Sequence, residues 1–190
     1  MKRIGILGGT FNPIHYGHLA VADVVAERFK LDKIIFIPTK YPPHKTHKDI
    51  ADVKHRFHMV ELAVAGNKKF SVSDFEVKKE SKSYSIETVR FFKEKLDKHD
   101  KLFFIIGSDM LPTLPTWKDI AELRKLTRFI VVKRKDYDIS HINSGTEFVA
   151  DPNLGVSASH IRDEIKKKHS VRYMLPDNVL YYIHQHKLYM

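Results

Sequence analysis

The chain has 190 residues, 43% of them apolar and 29% charged, which is the balance of one globular domain and excludes a disordered polypeptide. Cysteine is absent, which excludes disulfides and thiolate metal sites, and no apolar run approaches the roughly 20 residues that a membrane span needs. The formal charge of +10 favours anionic partners, but the lysines are dispersed and no arginine-rich or aromatic-interleaved basic tract occurs, so phosphorylated small molecules fit better than nucleic acid.

Arg3–Leu7 (R-I-G-I-L) reads as a strand. Its basic start lacks the cleavage-type ending of a secretory signal, and a cytoplasmic protein is expected. Gly17–Phe29 has the spacing of an amphipathic helix, with Leu19, Ala20, Val21, Val24, Val25 and Phe29 apolar. Lys33–Pro38 is a second strand, stopped by its proline. Val53–Ala65 is helical, and Phe70–Val77 alternates as one or two short strands. Ser85–Leu96 is a helix whose Ser85 and Thr88 form a partial capping signal. Leu102–Gly107 and Arg128–Lys133 are the third and fourth apolar strands, and Ala158–Lys168 and Asp177–His186 are closing helices. Strands that are continuously apolar suit a sheet covered on both faces. Alternation of strand and helix then predicts an α/β fold: one doubly wound, mostly parallel sheet with helices on both faces, over a single domain 1–190. Ligands in such sheets sit beyond the carboxyl ends of the strands, near the place where the strand order reverses.

The exit of the first strand carries the most specific chemistry, G-G-T-F-N-P-I-H-Y-G-H from Gly8 to His18. Gly8 and Gly9 are read as permitting a backbone that side chains forbid and the close approach of a phosphate. Thr10 adds a hydroxyl and an amide. His15 and His18, three apart, share one face at a helix N-terminus, where free N–H groups attract anions. Neither the dinucleotide fingerprint G-x-G-x-x-G nor the P-loop pattern is present.

This stretch resembles the nucleotidyltransferase superfamily with an H-x-G-H motif, and within it the bacterial nicotinate-nucleotide adenylyltransferase family. The likeness extends to P-T-K-Y-P-P-H-K (Pro38–Lys45), S-Y-S-I-E-T-V (Ser83–Val89), I-I-G-S-D-M (Ile105–Met110) with Trp117, and S-A-S-H-I-R (Ser157–Arg162). Asn12 stands where many members have Asp, Ser108 where Ala is commoner, Ala158 where a second small hydroxyl residue is usual, and Thr116 where Lys is frequent.

The resemblance implies a Rossmann-like nucleotidyltransferase fold with the helices from about residue 157 closing the ATP site. It implies transfer of AMP from ATP to nicotinate mononucleotide, giving nicotinate adenine dinucleotide and pyrophosphate in NAD biosynthesis. His15, His18 and Arg162 would carry the catalysis by neutralising the triphosphate and the departing pyrophosphate, with the imidazole protonation states left open. Gly8, Gly9, Thr10, Phe11, Gly107, Asp109, Ser157 and Ile161 would complete the ATP site, Asp109 through the ribose or adenine or, on the plainer reading, as a helix cap. Thr10, His44, Lys45, Tyr84, Ser85 and Trp117 would hold the mononucleotide. Trp117 would stack on the pyridine ring, and amides around Tyr84, Ser85 and Trp117 would accept the nicotinate carboxylate. Mg²⁺ would arrive with ATP, and no residues are assigned as a metal site. His55, His58, His184 and His186 are read as surface residues. A homodimer is left open, and neither nucleic acid nor membrane is expected as a partner. The rivals are the same transfer to nicotinamide mononucleotide or phosphopantetheine, and a basic regulatory protein that retains an inactive nucleotide fold. The last would require damage to His-x-Gly-His or Ile-Arg, and both are intact.

Overall fold

The computed structural model describes residues 1–41, 50–80, 82–134 and 146–190. Its strands are β1 (Arg3–Gly9), β2 (Lys33–Pro38), β3 (Phe70–Val72), β4 (Lys101–Gly107), β5 (Arg128–Lys133) and β6 (Thr146–Ala150). Its helices are α1 (Tyr16–Arg28), α2 (Val53–Val64), α3 (Ser85–Glu94), α4 (Ile120–Leu126), α5 (Ala158–Lys166) and α6 (Asp177–Gln185). All strand pairs are parallel and the order is β3-β2-β1-β4-β5-β6, the doubly wound arrangement expected from the sequence.

The uninterrupted apolar strands serve two cores at once, because successive side chains point to opposite faces. On β4, Phe103 and Ile105 join Ile130 and Val132 of β5 in one core with α1, α2, α5 and α6. Leu102, Phe104 and Ile106 face the other way, with Phe129 and Val131, against Ile86 and Val89 of α3 and Leu123 of α4. Within the first core, Met59, Ile161 and Ile183 are fully buried, a contribution of about 1.5–3 kcal/mol each.

The differences from sequence expectation lie at short elements. Phe70–Val77 yields only the three-residue β3. Helix α4 and edge strand β6 were not anticipated: α4 spans seven residues behind a left-handed Asp119, and β6 buries only Val149 among exposed and half-buried neighbours instead of forming an apolar run. The cap of α3 is Tyr84, with no side-chain hydrogen bond, and Ser85 is the first helical residue.

Candidate active site

The strand order turns between β1 and β4, and the exits of β1, β4 and β5 open side by side there. The left-handed backbone expected of Gly8 and Gly9 falls instead on Phe11, whose φ is 46°. This conformation costs a non-glycine residue on the order of 1 kcal/mol. Burial of the Phe11 ring offsets it, edge-on to His18 at 5.1 Å between centroids and tilted on Phe36 at 5.8 Å. The glycines are required for space. A Cβ on Gly9 would stand 2.9 Å from the Phe11 ring, whereas one on Gly8 would meet nothing within 4 Å. Gly8 therefore borders open space at the β1 exit.

His15 caps α1 with extended backbone, and its ring lies 3.8 Å from that of His18 between centroids. The His15 amide donates to His18 Nδ1 at 3.3 Å, and an acceptor Nδ1 puts the His18 proton on Nε2. His15 itself is only 6% exposed. Burial first, and the charge of Arg134 second, lower its pKa from 6.5 to about 4. Its buried Nδ1 has no hydrogen-bond partner among the described residues, so a proton added there would be one more donor without an acceptor. A Cβ at position 17 would lie 2.9 Å from that nitrogen and 3.4 Å from the Val156 carbonyl. The glycine of His-x-Gly-His is thus the space in which the His15 ring sits. With its pKa held at about 4, His15 is a neutral imidazole at neutral pH and carries no positive charge there.

The cations come from other elements. Arg162, in the first turns of α5, donates through Nη1 to the Asn12 carbonyl at 2.9 Å, joining two motifs 150 residues apart. The Ser157 hydroxyl caps α5 by accepting from the His160 amide at 3.2 Å. At the β5 exit, Arg134 pairs through Nη1 with Asp109 Oδ2 at 3.3 Å, and its amide donates to Ser108 Oγ at 3.0 Å. Asp109 folds back so closely on the β4 exit that a Cβ on Gly107 would clash with its Oδ1. Beneath the β1 exit Arg56, 1% exposed, donates to three carbonyls: Thr10 at 2.6 Å, Thr39 at 2.8 Å and Ala51 at 2.8 Å.

On the other face of the sheet, Trp117 is half-buried and meets Phe104 edge-on, with centroids 6.1 Å apart. Lys118 Nζ lies 4.5 Å from the centroid of the exposed Tyr84 ring, which brings the Trp117 segment against the start of α3. Glu76 is buried beside them and accepts from Thr88 Oγ1 at 2.8 Å, and burial pushes its carboxyl pKa up.

A loop of this construction matches known proteins along nearly the whole chain. The cytidylyltransferase-like family model matches residues 6–164. The nicotinate-nucleotide adenylyltransferase of Bacillus subtilis is 40% identical over 191 residues, covering 100% of this chain and 99% of that one. A probable nicotinate-nucleotide adenylyltransferase of Lactococcus lactis is 41% identical over 188 residues, with 99% and 95% covered. The chain belongs to the nicotinate-nucleotide adenylyltransferase family. Its fold is also that of the Plasmodium falciparum nicotinic acid mononucleotide adenylyltransferase complexed with NaAD, with a TM-score of 0.81 at 21% identity over 100% of this chain and 98% of that chain.

Within this family member Phe11, His15, His18, Asp109 and Arg162 come together through ring contact, Arg134 and the Asn12 carbonyl. Gly8, Gly9 and Thr10 lie at the β1 exit, Gly107 at the β4 exit and Ser157 at the α5 cap, where the strand order reverses and a ligand crevice is expected. Ile161 is fully buried in the core, so its side chain anchors α5 and does not face the crevice. Tyr84, Ser85 and Trp117 form a second group at α3. His44 and Lys45 lie outside the described residues. His58 is exposed and bonds Glu61 one turn along α2, as expected of a surface residue, but His55 is half-buried at the seam between α2 and α6, where it bonds Tyr182 and lies 5.1 Å from the His186 ring.

Arg134 and Arg56 went unrecognised in the sequence. Arg134 follows an apolar strand at its carboxyl end, a position where a cation could have been singled out. Arg56 sits in an amphipathic helix pattern, and nothing in that pattern distinguishes an arginine that turns inward from one facing solvent.

Proposed function

We propose that the protein transfers the adenylyl group of ATP to nicotinate mononucleotide. A phosphate oxygen of the mononucleotide attacks the α-phosphorus, a new P–O bond forms, and the bond to the β-phosphate oxygen breaks, giving nicotinate adenine dinucleotide and pyrophosphate. The observation that carries this reading is the intact His15–His18–Arg162 constellation in a chain 40% identical, end to end, to a nicotinate-nucleotide adenylyltransferase. The attacking phosphate is already a nucleophile, so the protein has to position two anions and stabilise charge.

Arg162, Arg134 and the His18 Nε2–H would bind the triphosphate and the leaving pyrophosphate, with neutral His15 as a hydrogen-bond donor and orienter. The donors around the crevice are guanidinium, imidazole and amide groups, which suit phosphate oxygens, and its one carboxylate among the described residues, Asp109, is paired with Arg134. A hard divalent cation prefers carboxylates and water, and Mg²⁺ would therefore enter on ATP and neutralise phosphate charge. The mononucleotide would lie over Trp117 and Tyr84. The N-terminus of α3, which its cap residue leaves without a side-chain acceptor, would take the nicotinate carboxylate. Hydrogen bonding from amides and a helix dipole favours that anion over a neutral amide. A homodimer belongs to the same proposal, supported by the exposed aromatic rings of Tyr16 and Tyr173 beside Leu154.

The test is pyrophosphate release with ATP and each mononucleotide in turn. Nicotinate mononucleotide is expected to be the better acceptor by kcat/KM, and equal or faster turnover with nicotinamide mononucleotide would overturn the acceptor assignment.

A further inference from the structure

Three distant segments meet on Asn12. Its backbone carbonyl holds Arg162 Nη1 at 2.9 Å. Its side-chain Oδ1 accepts both the Ala51 amide at 3.0 Å and the Tyr189 hydroxyl at 2.8 Å. Asn12 is 4% exposed, so each of these groups would lose a hydrogen bond without regaining one from bulk water.

Tyr189 reaches this place by an unusual route. The backbone leaves α6 through two left-handed residues, Lys187 with φ 51° and Tyr189 itself with φ 63°. The Lys187 amide bonds the His184 carbonyl at 3.2 Å and the Leu188 amide bonds the Ile183 carbonyl at 3.0 Å. These bonds turn the segment back along the helix it has just left, and the Tyr189 ring packs against the core that contains Phe11 and Ile161. Non-glycine residues adopt such backbone only where the surroundings hold them. Helix α6 is itself tied to α2 through Asn178 Nδ2 on the Leu62 carbonyl at 2.7 Å and Tyr182 Oη on His55 Nδ1 at 2.8 Å. The hydroxyl thus arrives on a braced element. The positive charges of Arg56 and Arg162 both act on it.

We propose that Tyr189 is a positioning residue of the adenylyl transfer, acting through Asn12 to set the aim of Arg162. Its O–H fixes the rotation of the Asn12 side chain. That side chain, with the Ala51 amide, fixes the peptide whose carbonyl holds the guanidinium. The proposal rests on the assignment of Arg162 to the triphosphate made above.

The experiment is Tyr189→Phe, which keeps the ring and deletes the O–H, set in a double-mutant cycle with Arg162→Lys. Tyr189→Phe is expected to lower kcat about tenfold with the KM for ATP changed less than about threefold, the size of one hydrogen bond lost from an oriented group. In the Arg162→Lys background, which lacks the planar fork, the same change is expected to cost less than about twofold. Unaltered kcat in the single variant, or effects that simply multiply in the double, would overturn the proposal. A melting temperature lowered with kcat intact would show a role in folding alone and also overturn it. Amide hydrogen exchange over residues 10–18 separates this failure from failure of the functional reading, because it needs no turnover. Exchange there is expected to accelerate about tenfold in Tyr189→Phe, and exchange at the wild-type rate would overturn the positioning even if transfer proceeded to some other acceptor.

Discussion

His15 should make the protein lose stability in mild acid, and His15→Asn should remove most of that loss. The native imidazole titrates at about 4 because of burial and Arg134, against 6.5 for the same group in a solvated chain. Between those values the unfolded chain holds a proton that the folded one refuses. Stability from this group is therefore undiminished above pH 6.5, falls as pH drops through that value, and stops falling below about 4. In full the loss is about 3 kcal/mol, and at pH 5 it is about 2 kcal/mol. The assay is urea unfolding of wild type and His15→Asn at pH 7.5 and pH 5.0. The carboxylates of Glu87, Asp100, Glu122 and Glu164, whose pKa values are lowered by their hydrogen bonds, are common to both proteins and cancel in the comparison. Wild type is expected to lose about 2 kcal/mol more than the variant over this interval. Parallel losses, within the extrapolation error of the method, would show that His15 is an ordinary solvated imidazole and would sink the argument for a neutral donor.

Two further outcomes follow from the same geometry. Gly17→Ala places a methyl group 2.9 Å from His15 Nδ1, whereas Gly8→Ala places one in open space. The first is expected to cost about 1–3 kcal/mol in unfolding free energy and about a hundredfold in kcat. The second should leave the melting temperature alone and raise the KM for ATP, so equal behaviour of the two would contradict the assignment of space. Arg134→Gln is expected to raise the His15 pKa from about 4, because one of its two depressing causes is gone, and to weaken ATP binding about tenfold. Titration of the His15 ring protons by NMR and a direct ATP titration check the two effects.

The parts legible in the sequence share a property. They are local signals, each carried by a few consecutive residues whose meaning does not depend on distant partners. Lys33–Pro38 matched its strand to the residue because an apolar run ended by proline needs nothing else. Gly-Gly-Thr-Phe and His-x-Gly-His mark the β1 exit and the start of α1 for the same reason. What escaped was set by tertiary contact. The positive φ passed to Phe11, because Gly9 was needed as a gap beneath its ring. His15 became neutral through burial and Arg134, neither of which adjoins it in sequence. Strand β6 owes its existence to the β5 edge at which it pairs, since its own alternation, T-E-F-V-A, is a weak signal.

The buried arginine shows why a phosphate-binding turn needs support from below. In a trans peptide the N–H points opposite to the C=O, so a loop that offers amides to a ligand must turn carbonyls toward the protein. Here the Gly9 carbonyl takes the Thr39 amide at 2.9 Å and the Thr10 carbonyl takes Arg56 at 2.6 Å. Peptide geometry turns the amides of Thr10 and Phe11 away from those carbonyls and their donors. A buried carbonyl without a donor costs about 1–3 kcal/mol, and three converge on one spot from the exits of β1 and β2 and the start of α2. A lysine could reach them only as a flexible point charge, while the guanidinium has donors in a fixed fork that serves all three. The same group places a positive charge under the loop proposed to receive the triphosphate, and its own pKa is lowered chiefly by burial. Scaffold and electrostatics thus coincide in Arg56, whose donors are turned to the carbonyls beneath that loop.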